Sequence, residues 1–305
     1  MIVGRVSRIG FLYAIVAAIL FGVGGSLAQF MFQQRGVDTG WLVTMRLLFA
    51  GTALLAISAA RQGRQVLAVW RRDALPLLAF GLIGMMPVQY TYMAAISASN
   101  SATATVLQFT APAMVAVWLA LARRRRPHGR ELLAIALAVL GTFLLATHGR
   151  MGVLSVSAIA LFWGIASAVA AAFNSLQPAG LLKRHGSALV AGWGMLIGGV
   201  ALSLLHAPWK VQGIWDAQAV IFVVFILVLG TLVAFYLFNR ALGMIGPQKT
   251  ILLTCGEPLS AAVLAVWWLG VTWGTMDWLG TACILVTIVL LAKEQSSEAQ
   301  AEKVT

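Results

Sequence analysis

Charge is scarce in this chain. Of its 305 residues only 10% are Asp, Glu, Lys or Arg, against 61% hydrophobic, and the mean hydropathy is +0.92. So little charge cannot cover a soluble globule, which excludes a water-soluble enzyme or binding module and leaves an integral membrane protein. Cysteine is equally sparse: Cys255 and Cys283 both lie in apolar runs, so there is neither a disulfide framework nor a thiolate metal site. The four histidines, His128, His148, His185 and His206, fall in loops or at helix ends. No zinc-protease helix, phosphate-binding glycine loop or nucleophile elbow is present, and neither cofactor nor metal is expected. Acids are outnumbered by bases, for a net charge of +12. The bases recur as short clusters between apolar runs, which reads as membrane orientation rather than a nucleic-acid site. The run Arg123 to Arg126 suits anionic lipid headgroups for the same reason.

Long apolar runs fill the rest. Windows of about 20 residues, the length that crosses a bilayer as helix, cluster near 10–30, 41–60, 74–94, 100–121, 131–147, 153–176, 187–205, 218–238, 249–269 and 275–292. The expected fold is all-α with ten transmembrane helices, because each span must satisfy its own backbone in hydrocarbon. The alternating segments of a β-barrel are missing. One set of loops holds Arg5, Arg8, Arg61, Arg64, Arg71, Arg72, Arg123 to Arg126, Arg130, Lys183, Arg184, Arg240, Lys249, Lys293 and Lys303; the other holds only Arg35, Arg150 and Lys210. Both termini are therefore expected in the cytoplasm, in a multi-pass protein of the inner membrane. The first 28 residues resemble a cleavable signal, but their apolar stretch exceeds a usual signal core and is echoed later in the chain. Residues 293–305 are polar and expected to be disordered.

The echo is a duplication. "GFLYAIVAAILFG" (Gly10 to Gly22) aligns without gaps to "GVLSVSAIALFWG" (Gly152 to Gly164). Gly84, Tyr90, Ala95, Leu107, Pro112, Ala116 and Val117 align at a nearly equal offset to Gly230, Tyr236, Ala241, Leu253, Pro258, Ala262 and Val263. Residues 10–147 and 152–292 then form two five-helix repeats, and an odd helix count inverts the second across the membrane. Inverted repeats are typical of secondary transporters working by alternating access; the plainer reading is an old duplication retained for packing.

The chain also resembles the EamA domain of the drug/metabolite transporter superfamily. The resemblance rests on "AAILFG" and "AIALFWG", on Arg46 in "TMRLLFAG", on "YMAAISASNSATATVLQFTAPAMVAVW" and on "GTLVAFYLFNRALGMIGPQKTILLTCGEPLSAAVLAVWWLG", and spans residues 10 to 292. It implies a ten-helix exporter of amino acids or other small metabolites, and the aromatics around Trp163 point to the aromatic amino-acid branch. The acid that usually ends the fourth and ninth helices of this family is absent, with "LALARRRRP" and "WWLGVTWG" in its place.

Depth along ideal helices sorts the candidate site residues. Phe21 and Trp163 fall at mid-depth as one aromatic layer; Trp163 either meets a substrate carboxylate or simply packs. Tyr90 and Tyr236 fall at opposite mouths, as paired gates or as ordinary interfacial tyrosines. Gln89 and Tyr92 share a helix face, and Gln108 is either ligand or interhelical glue. Gly194 and Gly198 suit a close helix contact, and Asn174 and Asn239 suit helix ends. Arg46 is placed about 7 Å inside one face and Glu257 about 12 Å inside the other, a gap of roughly 10 Å that argues against their pairing and makes Arg46 scaffold.

Glu257 stands apart. Pro258 has the repeat counterpart Pro112, whereas Glu257 has Ala111, so the proline is architectural and the acid is not required by the fold. A carboxylate in hydrocarbon costs several kcal/mol without donors, which leaves two roles open: proton carrier or amine acceptor in transport, or acceptor for backbone N–H groups at the proline break. The expected function is export of small metabolites, neutral or aromatic amino acids foremost, through a cavity lined by Trp163, Tyr90, Gln89, Tyr92, Gln108, Tyr236 and Glu257. Export of drug-like cations is the alternative in transport. A membrane-embedded enzyme is the alternative of another class, disfavoured because Glu257 stands nearly alone, and a channel is disfavoured because charged pore rings are absent. The expected partners are a small-molecule substrate and the lipid bilayer, with a monomer as default and no nucleic acid.

Overall fold

Ten helical crossings organise the computed structural model, which describes residues 2–63, 65–122, 129–148 and 156–301. The first half contains α1 (Ile2–Gln33), α2 (Thr39–Gln62), a third crossing made of α3 (Gln65–Ala79), a π-turn at 80–85 and α4 (Met86–Ala98), a fourth made of α5 (Ser101–Gln108) and α6 (Ala111–Ala122), and α7 (Gly129–Thr147). The second half repeats the plan with α8 (Ala158–Leu176), a short α9 (Ala179–His185), α10 (Ser187–Ser203), an eighth crossing of α11 (Ala217–Leu227), a π-turn at 228–233 and α12 (Ala234–Ile245), a ninth of α13 (Pro247–Thr254) and α14 (Gly256–Trp267), and α15 (Thr275–Ala301). Six stretches are long and apolar enough to cross a membrane by themselves, and most of the rest are shorter apolar helices. No strand occurs among the described residues.

The prolines explain the two broken crossings. A proline ring clashes with the carbonyl four residues earlier and brings no N–H to the helix. Pro112 and Pro258 therefore end the preceding helices at Gln108 and Thr254, and the chain restarts at Ala111 and Gly256. The π-turns also fall at aligned places, one holding Gly84 and the other Gly230. Irregular backbone at membrane depth is tolerated only where protein or a cavity covers it; the first π-turn packs against α10 and α8 and the second against α1 and α2.

Packing follows the same exchange. The second crossing pairs with the seventh (α2 with α10) and the fifth with the tenth (α7 with α15), while third with sixth (α4 with α8) mirrors first with eighth (α1 with α12). These are the pairings an inverted two-fold generates. Small residues permit the close ones: a Cβ at Gly198 would reach 3.1 Å from the Gly81 carbonyl oxygen, which makes the Gly194/Gly198 face a helix contact.

The face that carries neither terminus is finished by side-chain caps. Asp38 accepts from the Trp41 N–H at 2.6 Å, Asn100 from Thr103 at 2.8 Å, Ser157 from Ala160 at 3.2 Å and Asp216 from Ala219 at 2.8 Å, each satisfying an orphan donor at a helix start. On the terminal face α15 continues to Ala301, past Lys293 where composition predicts disorder. The Ala, Glu and Gln of that stretch are good helix formers, and a helix already running needs no new nucleus. Arg64, Arg123 to Arg126, His128 and Arg150 lie outside the described residues.

Replacing Gly51 with Leu tests the α2–α10 contact, because a Cβ there would stand 2.5 Å from the Leu196 backbone nitrogen. The expected loss is about 1–3 kcal/mol, read as a lower melting temperature in detergent. Gly243→Ala, where nothing lies within 4 Å, is expected to leave it unchanged or raise it.

Candidate functional site

The two breaks and the first π-turn border one central cavity of about 310 Å³, at the lower end of the usual range for small-ligand sites. Gln108 and Thr254, the last helical residues before the two proline breaks, both line it. Gln89 and Tyr92 enter from α4, Glu257 from α14, and Phe21, Phe235 and Phe238 form an aromatic side on which Phe21 meets Phe235 edge-on at 5.0 Å. Of the residues expected at the site, the structure brings Gln89, Tyr92, Gln108 and Glu257 together.

It does not bring the other three. Trp163 lies outside the lining, packed edge-on against Tyr90 at 5.8 Å and Phe162 at 5.1 Å, and so does not form the layer with Phe21 that mid-depth placement implies. Equal depth fixes a level but not the direction in which a side chain leaves its helix. Tyr90 stacks near His206 toward the far face, with ring centroids 6.0 Å apart. Tyr236 accepts a 3.0 Å hydrogen bond from Arg61 Nη2 in a separate crevice of about 230 Å³. The two tyrosines thus sit toward opposite ends of the bundle, both away from the cavity.

Arg46 is the largest departure from expectation, since it lines the same cavity as Glu257. Counted from the observed helix starts, Thr39 and Pro247, the two residues lie about 10 and 15 Å deep, which leaves about 5 Å of a 30 Å core and within reach of a long side chain. Arg46 is 6% exposed, and its Nε donates to Thr231 Oγ1 at 2.9 Å. Thr231 lies in the second π-turn and donates its own proton to the Ile226 carbonyl at 2.7 Å, leaving its lone pairs for the guanidinium. Arg46 Nη1 has no hydrogen-bond partner, and no ion pair within 4 Å joins Arg46 to Glu257. A second orphan, Asn174 Oδ1, lines the same cavity rather than capping a helix end. Sequence reasoning missed Arg46, Asn174 and the Phe235/Phe238 pair; the one available signal was an arginine inside an apolar run, a rare and functional placement.

The cavity has carboxylate, guanidinium and amide groups and no built metal centre: no group of three or more His, Cys, Asp or Glu that could hold a metal occurs among the described residues.

The model of the EamA-like transporter family matches residues 8–147 and 158–293. The chain belongs to the EamA-like transporter family. This EamA protein is therefore a multi-pass membrane transporter, with two copies of the family's repeat. It is 40% identical over 297 residues to the uncharacterized inner membrane transporter YicL of Salmonella typhimurium, covering 97% of this chain and 99% of that one. It is 22% identical over 301 residues to the uncharacterized transporter YwfM of Bacillus subtilis (95% and 96% covered), and 24% identical over 291 residues to an uncharacterized transporter of Archaeoglobus fulgidus (95% and 98% covered). A solved structure described only as "Crystal structure of protein" superposes with a TM-score of 0.61 at 19% identity, covering 96% of this chain and 99% of that one, a likeness of fold.

Contacts outside the cavity tie the ends of this EamA bundle. On the far face Arg35 pairs with Asp216 at 2.8 Å, the Trp41 indole donates to the Pro208 carbonyl at 2.8 Å, and His206 meets Asp38 at 3.0 Å. On the terminal face, Asp73, just before the apolar part of the third crossing, meets His185 at 2.6 Å and Arg184 at 2.8 Å. The His185 hydrogen bond, and then Arg184, hold the Asp73 carboxyl below its ordinary value. A depressed carboxylate stabilises the fold above its unfolded pKa, and that contribution is lost as pH falls through the folded one. The α3–α9 clasp is therefore expected to open below pH about 4. Hydrogen exchange at residues 179–185 should rise there, and Asp73→Asn should show the raised exchange already at neutral pH.

Proposed function

We propose that this protein exports small zwitterionic metabolites, neutral or aromatic amino acids foremost, across the inner membrane by alternating access. The reading is carried by one observation: the unpaired Nη1 of Arg46 and the carboxylate of Glu257 share a cavity with an aromatic side. An α-amino acid presents a carboxylate and an ammonium on one carbon. Arg46 supplies a buried donor for the first and Glu257 an acceptor for the second, where charge-assisted bonds are strong and unpaired charge is costly. Phe21, Phe235 and Phe238 then receive an apolar or aromatic side chain.

The cation reading fits less well, since a drug-like cation would be drawn by Glu257 but repelled by Arg46 in the same small volume. The inner membrane is inferred from the resemblance to YicL and the cytoplasmic termini from the arginine-rich loops on the terminal face. The two matched proline breaks and two matched π-turns favour alternating access, because each half carries the same flexible points.

In proteoliposomes, the expected result is counterflow of labelled phenylalanine and leucine in preference to lipophilic cations. Phenylalanine amide, which lacks the carboxylate, and the deaminated acid, which lacks the ammonium, should each compete about tenfold to a hundredfold less well, the worth of one charge-assisted bond. Competition by the amide as strong as by phenylalanine removes Arg46 from recognition, and faster movement of lipophilic cations than of amino acids overturns the reading. Glu257→Gln is expected to lower counterflow of the amino acid by a similar factor.

A further inference from the structure

A second polar recess lies on the terminal face, apart from the central cavity. It is the crevice of about 230 Å³ between the end of α2, the start of α10 and α12. Seven of its twelve lining residues have polar side chains, Arg61, His185 and Arg240 among them, and none is acidic. Ser58 lines it from α2 and is 5% exposed, yet its hydroxyl makes no hydrogen bond among the described residues. Thr44 and Thr52 of the same helix each donate to the carbonyl four residues back, at 2.8 and 2.7 Å. A buried hydroxyl without a partner costs about 1–3 kcal/mol, so its place in the wall of a crevice calls for a polar ligand.

The donors around Ser58 converge from three elements. Arg61 Nη2 donates to the Tyr236 hydroxyl at 3.0 Å, and the guanidinium lies 5.8 Å from the centre of that ring, which holds it at the crevice with its other N–H groups unspent. Arg240, exposed on α12, has neither an ion pair nor a hydrogen bond among the described residues. Asn239 Nδ2 donates to the Phe235 carbonyl at 2.7 Å and keeps its second hydrogen. α10 starts at Ser187 after Gly186, with no side-chain cap, so its first N–H groups and the positive end of its dipole are presented to the same space. The acid that reaches this lining, Asp73, does so through His185 at 2.6 Å and is also held by Arg184 at 2.8 Å, so it leaves Arg61 and Arg240 unopposed.

We propose that this crevice binds a phosphate monoester, carried either by an anionic phospholipid of the leaflet on the terminal face or by a soluble phosphate compound. Two guanidinium groups without acidic partners match the two negative charges of a monoester. A carboxylate offers its oxygens in one plane, whereas the tetrahedral phosphate offers them in several directions, as donors on α2, α10 and α12 require. The volume lies below the usual range for small-ligand sites, which suits a phosphate group with the rest of its molecule outside.

The position gives the site a consequence. α2 packs on α10 and α12 packs on α1, and the Arg61–Tyr236 bond crosses from one pair to the other. α12 turns Phe235 and Phe238 to the central cavity, and Tyr236, Asn239 and Arg240 to the crevice. A ligand that touches α2, α10 and α12 together binds best where the three converge, and it draws the population to that arrangement. Phosphate in the crevice therefore holds back the movement of α12.

The test is hydrogen exchange on the full chain in phosphatidylcholine nanodiscs titrated with inorganic phosphate, and in nanodiscs that also hold phosphatidic acid. Exchange at residues 187–190 and 234–245 should fall with one probe or the other. A fall with inorganic phosphate identifies a soluble source, and a fall with phosphatidic acid alone a lipid one. Sodium chloride at equal ionic strength should not reproduce it. Arg240→Gln, at a position free of protein partners, should weaken the effective probe by at least about tenfold, the worth of one charge-assisted bond, and Ser58→Ala by severalfold. Arg130→Gln, exposed on the same face but outside the crevice, should change the midpoint by no more than about twofold, as expected of a screened charge. Unchanged exchange with both probes, an equal response to chloride, or an equal loss in Arg130→Gln, which marks diffuse attraction to a basic face, overturns the proposal. No substrate is needed, so failure of the amino-acid reading leaves this result standing.

Discussion

A hydrogen bond from Arg46 Nε to Thr231 Oγ1 at 2.9 Å holds a guanidinium inside a membrane protein, beside the cavity on which the proposed recognition depends. Hydrocarbon offers no partner to a charged side chain, so the protein must supply one or keep the group near water. The second π-turn supplies it by bringing Thr231 into range, and the hydroxyl spends its own proton on the turn's carbonyl at Ile226. Arg46 also lines the cavity that holds Glu257, and its Nη1 is buried without a hydrogen-bond partner. An arginine and a glutamate that share a space without pairing are each available to a third charged group, and that availability is the physical basis of the proposed recognition.

The repeat explains why such a space exists. Pro112 and Pro258 break equivalent crossings four residues upstream, at Gln108 and Thr254, and the aligned π-turns bend the third and eighth crossings. The same packing exchange relates α4 with α8 to α1 with α12, and both proline breaks and the first π-turn border the cavity. Onto this symmetric frame the chain adds unsymmetric chemistry: Glu257 where the first half has Ala111, and the Tyr92–Thr105 hydroxyl pair leading away from it.

Much of this was legible in the sequence. Ten apolar windows, an inverted duplication, paired prolines and one unmatched acid follow from hydropathy and alignment alone, since the bilayer dictates helix length and proline dictates breaks. The site was legible only in part. Gln89, Tyr92, Gln108 and Glu257 could be placed by depth and polarity, but Trp163 could not be separated from them, because depth does not say which way a side chain points. Arg46 was misplaced for a different reason: depth measured from estimated membrane edges mislocates a residue by several ångströms, and the length of its side chain covers the remainder. Thr231 as its partner depends on a π-turn, which leaves no periodic trace in an apolar run.

The central claim is that Arg46 and Glu257 divide one zwitterion between them. A structure of the protein with phenylalanine bound tests it most directly. The account predicts the carboxylate on Arg46 Nη1, the ammonium on Glu257 and the ring among Phe21, Phe235 and Phe238. Phenylalanine seated beside Trp163 and Tyr90, with neither Arg46 nor Glu257 in contact, would contradict it.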